Sequence, residues 1–148
     1  MNKMVLKVTQ IILYLVFAAG VVITISVPWL VKWWQNVILR TGDNYLFLTL
    51  MLIVMGVASL VLLYELIMIL KDINKGNPFV IKTVNRLNVM AISSFIITIA
   101  YIAKIIVMNS FFTMIIMLVF AMATLFSKVL AEVFRQAVIV KEENDLTI

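Results

Sequence analysis

The sequence predicts an all-α, polytopic membrane protein of four transmembrane helices, and three observations predict it. First, 65 % of the 148 residues are hydrophobic and 13 % are charged, against about 25 % charged residues in a soluble domain. Second, the apolar residues are gathered into four long stretches. Third, the basic residues fall mainly in the flanks of those stretches and mostly on one side. Backbone groups in hydrocarbon must bond within their own segment, so apolar runs of about 20 residues read as helices.

Span one is expected over residues 8–28, after Lys3 and Lys7. The apolar run from Ile11 to Val31 exceeds the ~7–15 residues of a secretory leader's core, and no small-x-small cleavage motif closes it. An uncleaved span is therefore expected. In the following segment, PWLVKWWQNVILRTGDNY, Trp29, Trp33 and Val37 recur every four residues, which predicts a short separate helix in the membrane interface. Span two is expected over residues 45–70, span three over 87–108 and span four over 111–130. Only Asn109 and Ser110 separate the last two, which makes them an antiparallel hairpin. The whole chain, 1–148, is expected to be one domain, a four-helix bundle.

An even number of spans puts the two ends and the second loop on one side. That side collects Lys3, Lys7, Lys71, Lys75, Lys82, Arg86, Lys128, Arg135 and Lys141, leaving Lys32, Arg40 and Lys104 for the other. Nine against three predicts a bacterial cell-membrane protein with both termini in the cytoplasm. Helices three and four are expected to extend into the cytoplasm through residues 71–86 and 131–148. Gly76 suits the left-handed position that ends a helix, Asn77 an N-cap, and Pro78 a first helical position. A helix is therefore expected to begin at Pro78 and run into span three, with Val80, Val84, Leu87 and Ala91 on one face and Lys82, Asn85 and Arg86 on another. On helix four, Lys128 and Glu132 are spaced to pair.

The composition argues against enzyme chemistry. Without Cys or His there is no thiol or imidazole for nucleophilic, acid–base or metal-ligand roles. No glycine loop is built for phosphate, and Asp43, Glu65 and Asp72 are too dispersed to form a carboxylate metal site. No catalytic residue, cofactor or metal is expected. The net charge of +5 comes without a long basic stripe, so no direct nucleic-acid binding is expected either.

Glu65 is the one acid inside a span, near its cytoplasmic end. It is either an ion-pair partner of Arg86, Lys128 or Arg135, or a ligand- or proton-binding group. Lys104 is placed to snorkel toward headgroups. Ser93, Ser94 and Thr98 are expected to serve packing between helices, and Gly20, Gly56 and Ala58 to permit close helix approach.

GNPF at Gly76–Phe79, followed by NRLN at Asn85–Asn88, resembles the signature of the YoaS-like family of small bacterial membrane proteins catalogued as domain of unknown function 2975. The closing stretch LAEVFRQAVIVKEENDLTI is similar to that family's end. The resemblance implies four membrane helices and no assigned enzymatic activity. It also implies frequent gene neighbourhood with a small helix-turn-helix regulator.

The expected function is that of a membrane regulatory or sensor protein whose cytoplasmic face holds a soluble partner, a small helix-turn-helix transcriptional regulator. The alternative is a small transport or immunity component acting as a homo-oligomer or with another subunit. The expected partners are thus the lipid bilayer, the regulator and further copies of the chain. Gly76, Asn77, Pro78 and Phe79 are the expected rigid turn. Asn85 and Arg86 are expected to bind the acidic tail residues Glu142, Glu143 and Asp145, with Leu146 and Ile148 adding apolar contact as the tail folds back under the bundle.

Overall fold

The computed structural model describes residues 2–39 and 44–147, the side chains of residues 38 and 39 excepted. It contains helices α1 (Lys3–Trp34), α2 (Tyr45–Asn74), α3 (Ile81–Val107) and α4 (Phe111–Leu146), with a π-helical turn at Gln35–Leu39. All four α-helices are long and apolar enough to cross a membrane, as fits a multi-pass membrane protein. At 1.5 Å per residue the 36 residues of α4 span about 54 Å, well beyond the ~30 Å of a hydrocarbon core. Its charged residues, from Lys128 onward, lie toward the end away from Phe111.

The chain runs up and down in sequence order. α1 packs on α2, α2 on α3 and α3 on α4, and among the described residues no packed seam joins α1 to α4. The helices of the expected four-helix bundle are thus arranged, among the described residues, as an open row. Hydrocarbon supplies no hydrophobic drive to bring apolar faces together, so helices meet where small or polar residues allow close contact. α1 and α4 offer those residues mainly to their neighbours in sequence.

The α1–α2 seam shows how. A Cβ built on Gly56 would lie 2.7 Å from Thr24 Oγ1, and one on Gly20 would lie 3.1 Å from Leu60 Cδ2. The Thr24 hydroxyl donates to the Gly20 carbonyl at 2.7 Å, which holds it in place against Gly56. α3 presents Val84, Leu87, Ala91, Ile97 and the hydroxyls of Thr83, Ser93, Ser94 and Thr98, all buried. Thr98 donates to its own helix at Ser94 O, 2.9 Å away, whereas Thr83 Oγ1 and Ser94 Oγ have no hydrogen-bond partner among the described residues. Asn109 and Ser110 form the tight α3–α4 turn as expected.

Three boundaries differ from the sequence reading. The interface helix expected after Pro28 is not separate: α1 continues through Pro28 to Trp34 and into the π-helical turn. Proline costs one backbone bond and about 3 kcal/mol in a helix interior, but breaking a helix in lipid would strand several backbone groups. Val27 and Val31 on either side of Pro28 are buried, and the Tyr45 hydroxyl donates to the Pro28 carbonyl at 3.2 Å. Arg40 and Asp43 lie outside the described residues.

α3 begins at Ile81 rather than Pro78, with Val80 as an extended N-cap residue. Asn77 does not cap α3 because its side-chain oxygen accepts from Lys141 on α4. α4, finally, does not turn back. It remains helical to Leu146, which is 85 % exposed. No Gly or Pro follows Ser110 to interrupt it, and Ile148 lies outside the described residues.

Gly76 ends the α2 connection at φ +86, donating its N–H to Ile73 O at 3.0 Å. Nothing lies within 4 Å of a Cβ added there, so a substitution reports backbone strain alone. Gly76→Val should cost about 1–2 kcal/mol and Gly76→Asn much less, since asparagine tolerates the left-handed region. Denaturation of the purified protein in detergent would check this order. By the same assay Gly56→Ala should destabilise by about 1–3 kcal/mol through overpacking. Adding Thr24→Ala should recover much of the loss, a non-additivity that separate sites would not show.

Candidate functional site

The residues singled out in the sequence gather at the end of the row where α1 starts and α4 finishes. There α2, α3 and α4 meet over a small apolar core of Ile69, Leu87 and Ala131, flanked by Ile73, Met90, Leu130 and Phe134. Two features are built on it.

The first is a charged clamp. Arg86 Nη1 donates to Glu65 Oε2 at 2.9 Å, and Arg86 Nε lies 3.4 Å from Asp72 Oδ2. The second contact is one of charge, since neither atom completes a hydrogen bond in it. The three side chains are only 14–16 % exposed. Glu65 and Asp72 stand seven residues apart, two turns along one face of α2, so both can face a single guanidinium from α3. Of the two readings open for Glu65, the ion pair is the one the geometry favours, with Arg86 as the partner. In the sequence Asp72 reads only as a dispersed carboxylate; its seven-residue spacing from Glu65 is the signal that both share one partner.

The second is a braced connector. After Gly76 the chain runs outside any helix through Asn77, Pro78 and Phe79, and α4 holds it at two points. Lys141 Nζ donates to Asn77 Oδ1 at 2.7 Å, and the rings of Phe79 and Phe134 lie 5.5 Å apart, tilted by 35°. Phe79 nevertheless stays 45 % exposed. It borders a cleft shared with Gln136, Val140, Asn144 and Asp145, and a second one shared with Val138, Glu142 and Asp145.

The expected tail contacts do not form. Arg86 is occupied by Glu65 and Asp72, Asn85 is exposed, and Glu142, Glu143 and Asp145 stand exposed on the last turns of α4. The turn residues and the acids are close to one another, but through Phe79, Lys141 and Asp145 rather than through Asn85 and Arg86. Lys128 also pairs differently from expectation. Its Nζ donates to Asn88 Oδ1 at 2.8 Å on α3, while Glu132 accepts from Arg135 Nη2 at 2.9 Å. An asparagine on the neighbouring helix is in reach of Lys128, and a guanidinium one turn along α4 suits the carboxylate better.

This arrangement can tie α2, α3 and α4 together and present an acidic surface. Arg86→Gln would leave two carboxylates facing each other with little water and should cost about 3–5 kcal/mol. Glu65→Gln should cost distinctly less, because Asp72 still balances the guanidinium. Stability of both variants in one detergent, with the double variant to measure their coupling, would check that order.

No curated protein and no solved structure matches the chain. The family described as "Protein of unknown function (DUF2975)" matches residues 11–148, which take in most of α1 and everything after it, including the clamp, the connector and the acidic end of α4. The chain therefore belongs to the DUF2975 family of proteins of unknown function.

Proposed function

We propose that the chain is a multi-pass protein of the bacterial cell membrane whose cytoplasmic end binds a soluble regulatory partner, a small helix-turn-helix transcriptional regulator. The observation that carries this reading is the exposed acidic end of α4. Its last turns carry Glu142, Glu143 and Asp145, all exposed, and no basic residue lies in the last turn. A helix C-terminus carries partial negative charge and is stabilised by cations, by about 0.3–1 kcal/mol each. Acids there make a surface that gains from meeting a basic one, and a DNA-binding module offers a basic one.

The connector supports the reading because Asn77 and Phe79 brace that helix end through Lys141 and Phe134, and the clamp fixes α2 and α3, between which the connector runs. The acidic turns are thus presented on a braced support beside the exposed Phe79 ring, an apolar anchor next to a charged rim. The excess of Lys and Arg on this side favours a cytoplasmic placement, with α3 and α4 extending beyond the membrane there. The role is binding rather than catalysis.

Topology is tested first. Because the chain lacks cysteine, Asn36→Cys and Ser110→Cys should react with an impermeant thiol reagent in intact cells, whereas Asn77→Cys and Asn144→Cys should not. External labelling at position 144 would remove the basis for a cytoplasmic partner. Partner binding is tested by crosslinking in native membranes and identifying what is captured. A helix-turn-helix regulator should be enriched with the unaltered chain. Replacing Glu142 and Glu143 by Gln and Asp145 by Asn should weaken its binding roughly tenfold, at ~0.5 kcal/mol per exposed pair, and flatten its salt dependence. Capture that ignores these replacements, or the absence of any such regulator, would overturn the reading.

A further inference from the structure

A second site lies at the opposite end of the row, where α1, α2 and α3 approach one another near the α3–α4 hairpin. A cleft of about 340 Å³ opens there, within the range of ~300–1,000 Å³ found for small-molecule pockets. α1 contributes Leu30, Val31 and Trp34, and α2 contributes Leu48, Met51 and Leu52. α3 closes it with Met108 and a single charge, Lys104. The wall is otherwise apolar, and its two methionines are side chains that adapt to varied apolar ligands.

Lys104 differs from the other described lysines in burial, since all of those are exposed. Lys128 donates to Asn88, Lys141 donates to Asn77, and Lys71 lies 5.8 Å from the centre of the Tyr14 ring. Lys104 is half-buried in the cleft wall, yet no hydrogen bond or ion pair to its ammonium is found among the described residues. An ammonium carried on an apolar wall is a ready partner for an anion, and a charge-assisted bond there is among the strong ones. Trp34 in the cleft wall directly precedes the π-helical turn Gln35–Leu39, and such turns are frequent at functional sites.

We propose that this cleft binds an amphiphile with one apolar chain in the groove and an anionic head, a carboxylate or a phosphate, on Lys104. The chain would lie against Leu48, Met51 and Leu52, while Trp34 flanks the mouth. A free fatty acid and an acidic phospholipid share this chemistry. The site is independent of the partner surface at the other end and holds whether or not that surface binds a regulator.

The test uses fluorescence. The chain has three tryptophans, so Trp29→Phe with Trp33→Phe leaves Trp34 as sole reporter beside the cleft. The full-length protein in detergent is titrated with a brominated fatty acid, its neutral methyl ester and a brominated phosphatidylglycerol. Quenching should saturate at about one ligand per chain for at least one anionic probe. Lys104→Gln should weaken that binding roughly tenfold or more, as loss of a charge-assisted bond does, and Lys104→Arg should retain it. Met108→Phe, which fills the groove and leaves the charge, should also weaken binding. Saturation by the fatty acid alone identifies a free acid as the ligand, and saturation by the phospholipid alone identifies a membrane lipid. Quenching that rises without saturating, or that is equal for the methyl ester and for Lys104→Gln, would overturn the proposal.

Discussion

In a lipid solvent, apolar surface gains nothing by leaving its surroundings for another apolar surface, and this constraint governs how these four helices meet. Their contacts occur where backbones can approach closely or where polar groups find partners. Gly20 and Gly56 open the seam between α1 and α2, while the buried hydroxyl face of α3 lies between its two neighbours. The outward faces of α1 and α4 remain apolar and exposed, Ile25 and Met122 among them, as lipid-facing surfaces do. An open row is the form such a set of contacts takes. Closing it into a bundle would require a matching set of small or polar residues on the two outer helices.

The clamp at one end follows from the same constraint. A guanidinium and two carboxylates near the edge of a low-dielectric region cannot be left apart cheaply, so they impose a register on α2 and α3. Their value lies more in specificity than in net stability, because the desolvation of three charges offsets much of their attraction. Arg86 can meet both Glu65 and Asp72 only with α3 at one height along α2. That register in turn sets where the connector leaves Gly76 and where Phe79 meets Phe134 on α4. The acidic end of α4 is therefore presented from a braced junction.

The two ends of the row differ in chemistry. One gathers paired charges, a rigid connector and exposed acids. The other joins an apolar cleft to one unpaired ammonium beside Trp34. A ligand in that cleft would touch α1, α2 and α3 together, the helices whose relative heights the clamp also depends on. Binding at one end and presentation at the other thus share helices, and differential affinity of a ligand for two packings of those helices is the physical means by which one could affect the other.

The sequence by itself determined the number of helices, their approximate spans, the tight turn at Asn109 and Ser110, and the left-handed conformation of Gly76. Each rests on a local rule: the length of an apolar run, the absence of room for a longer loop, or the lack of a Cβ. It also marked Glu65 and Arg86 as a candidate pair, since buried charges in a span need opposite partners. Tertiary structure alone decided the rest. Pro28 lies within α1 because lipid penalises a broken helix more than one missing bond, and Asn77 serves Lys141 instead of capping α3 because α4 passes beside it. Arg86 had several acids within its plausible reach, the tail's among them, and only the packing of α2 against α3 supplied Asp72 and left the tail helix projecting. Local sequence records what a residue requires; which of several suitable partners meets the requirement depends on distances that the fold creates.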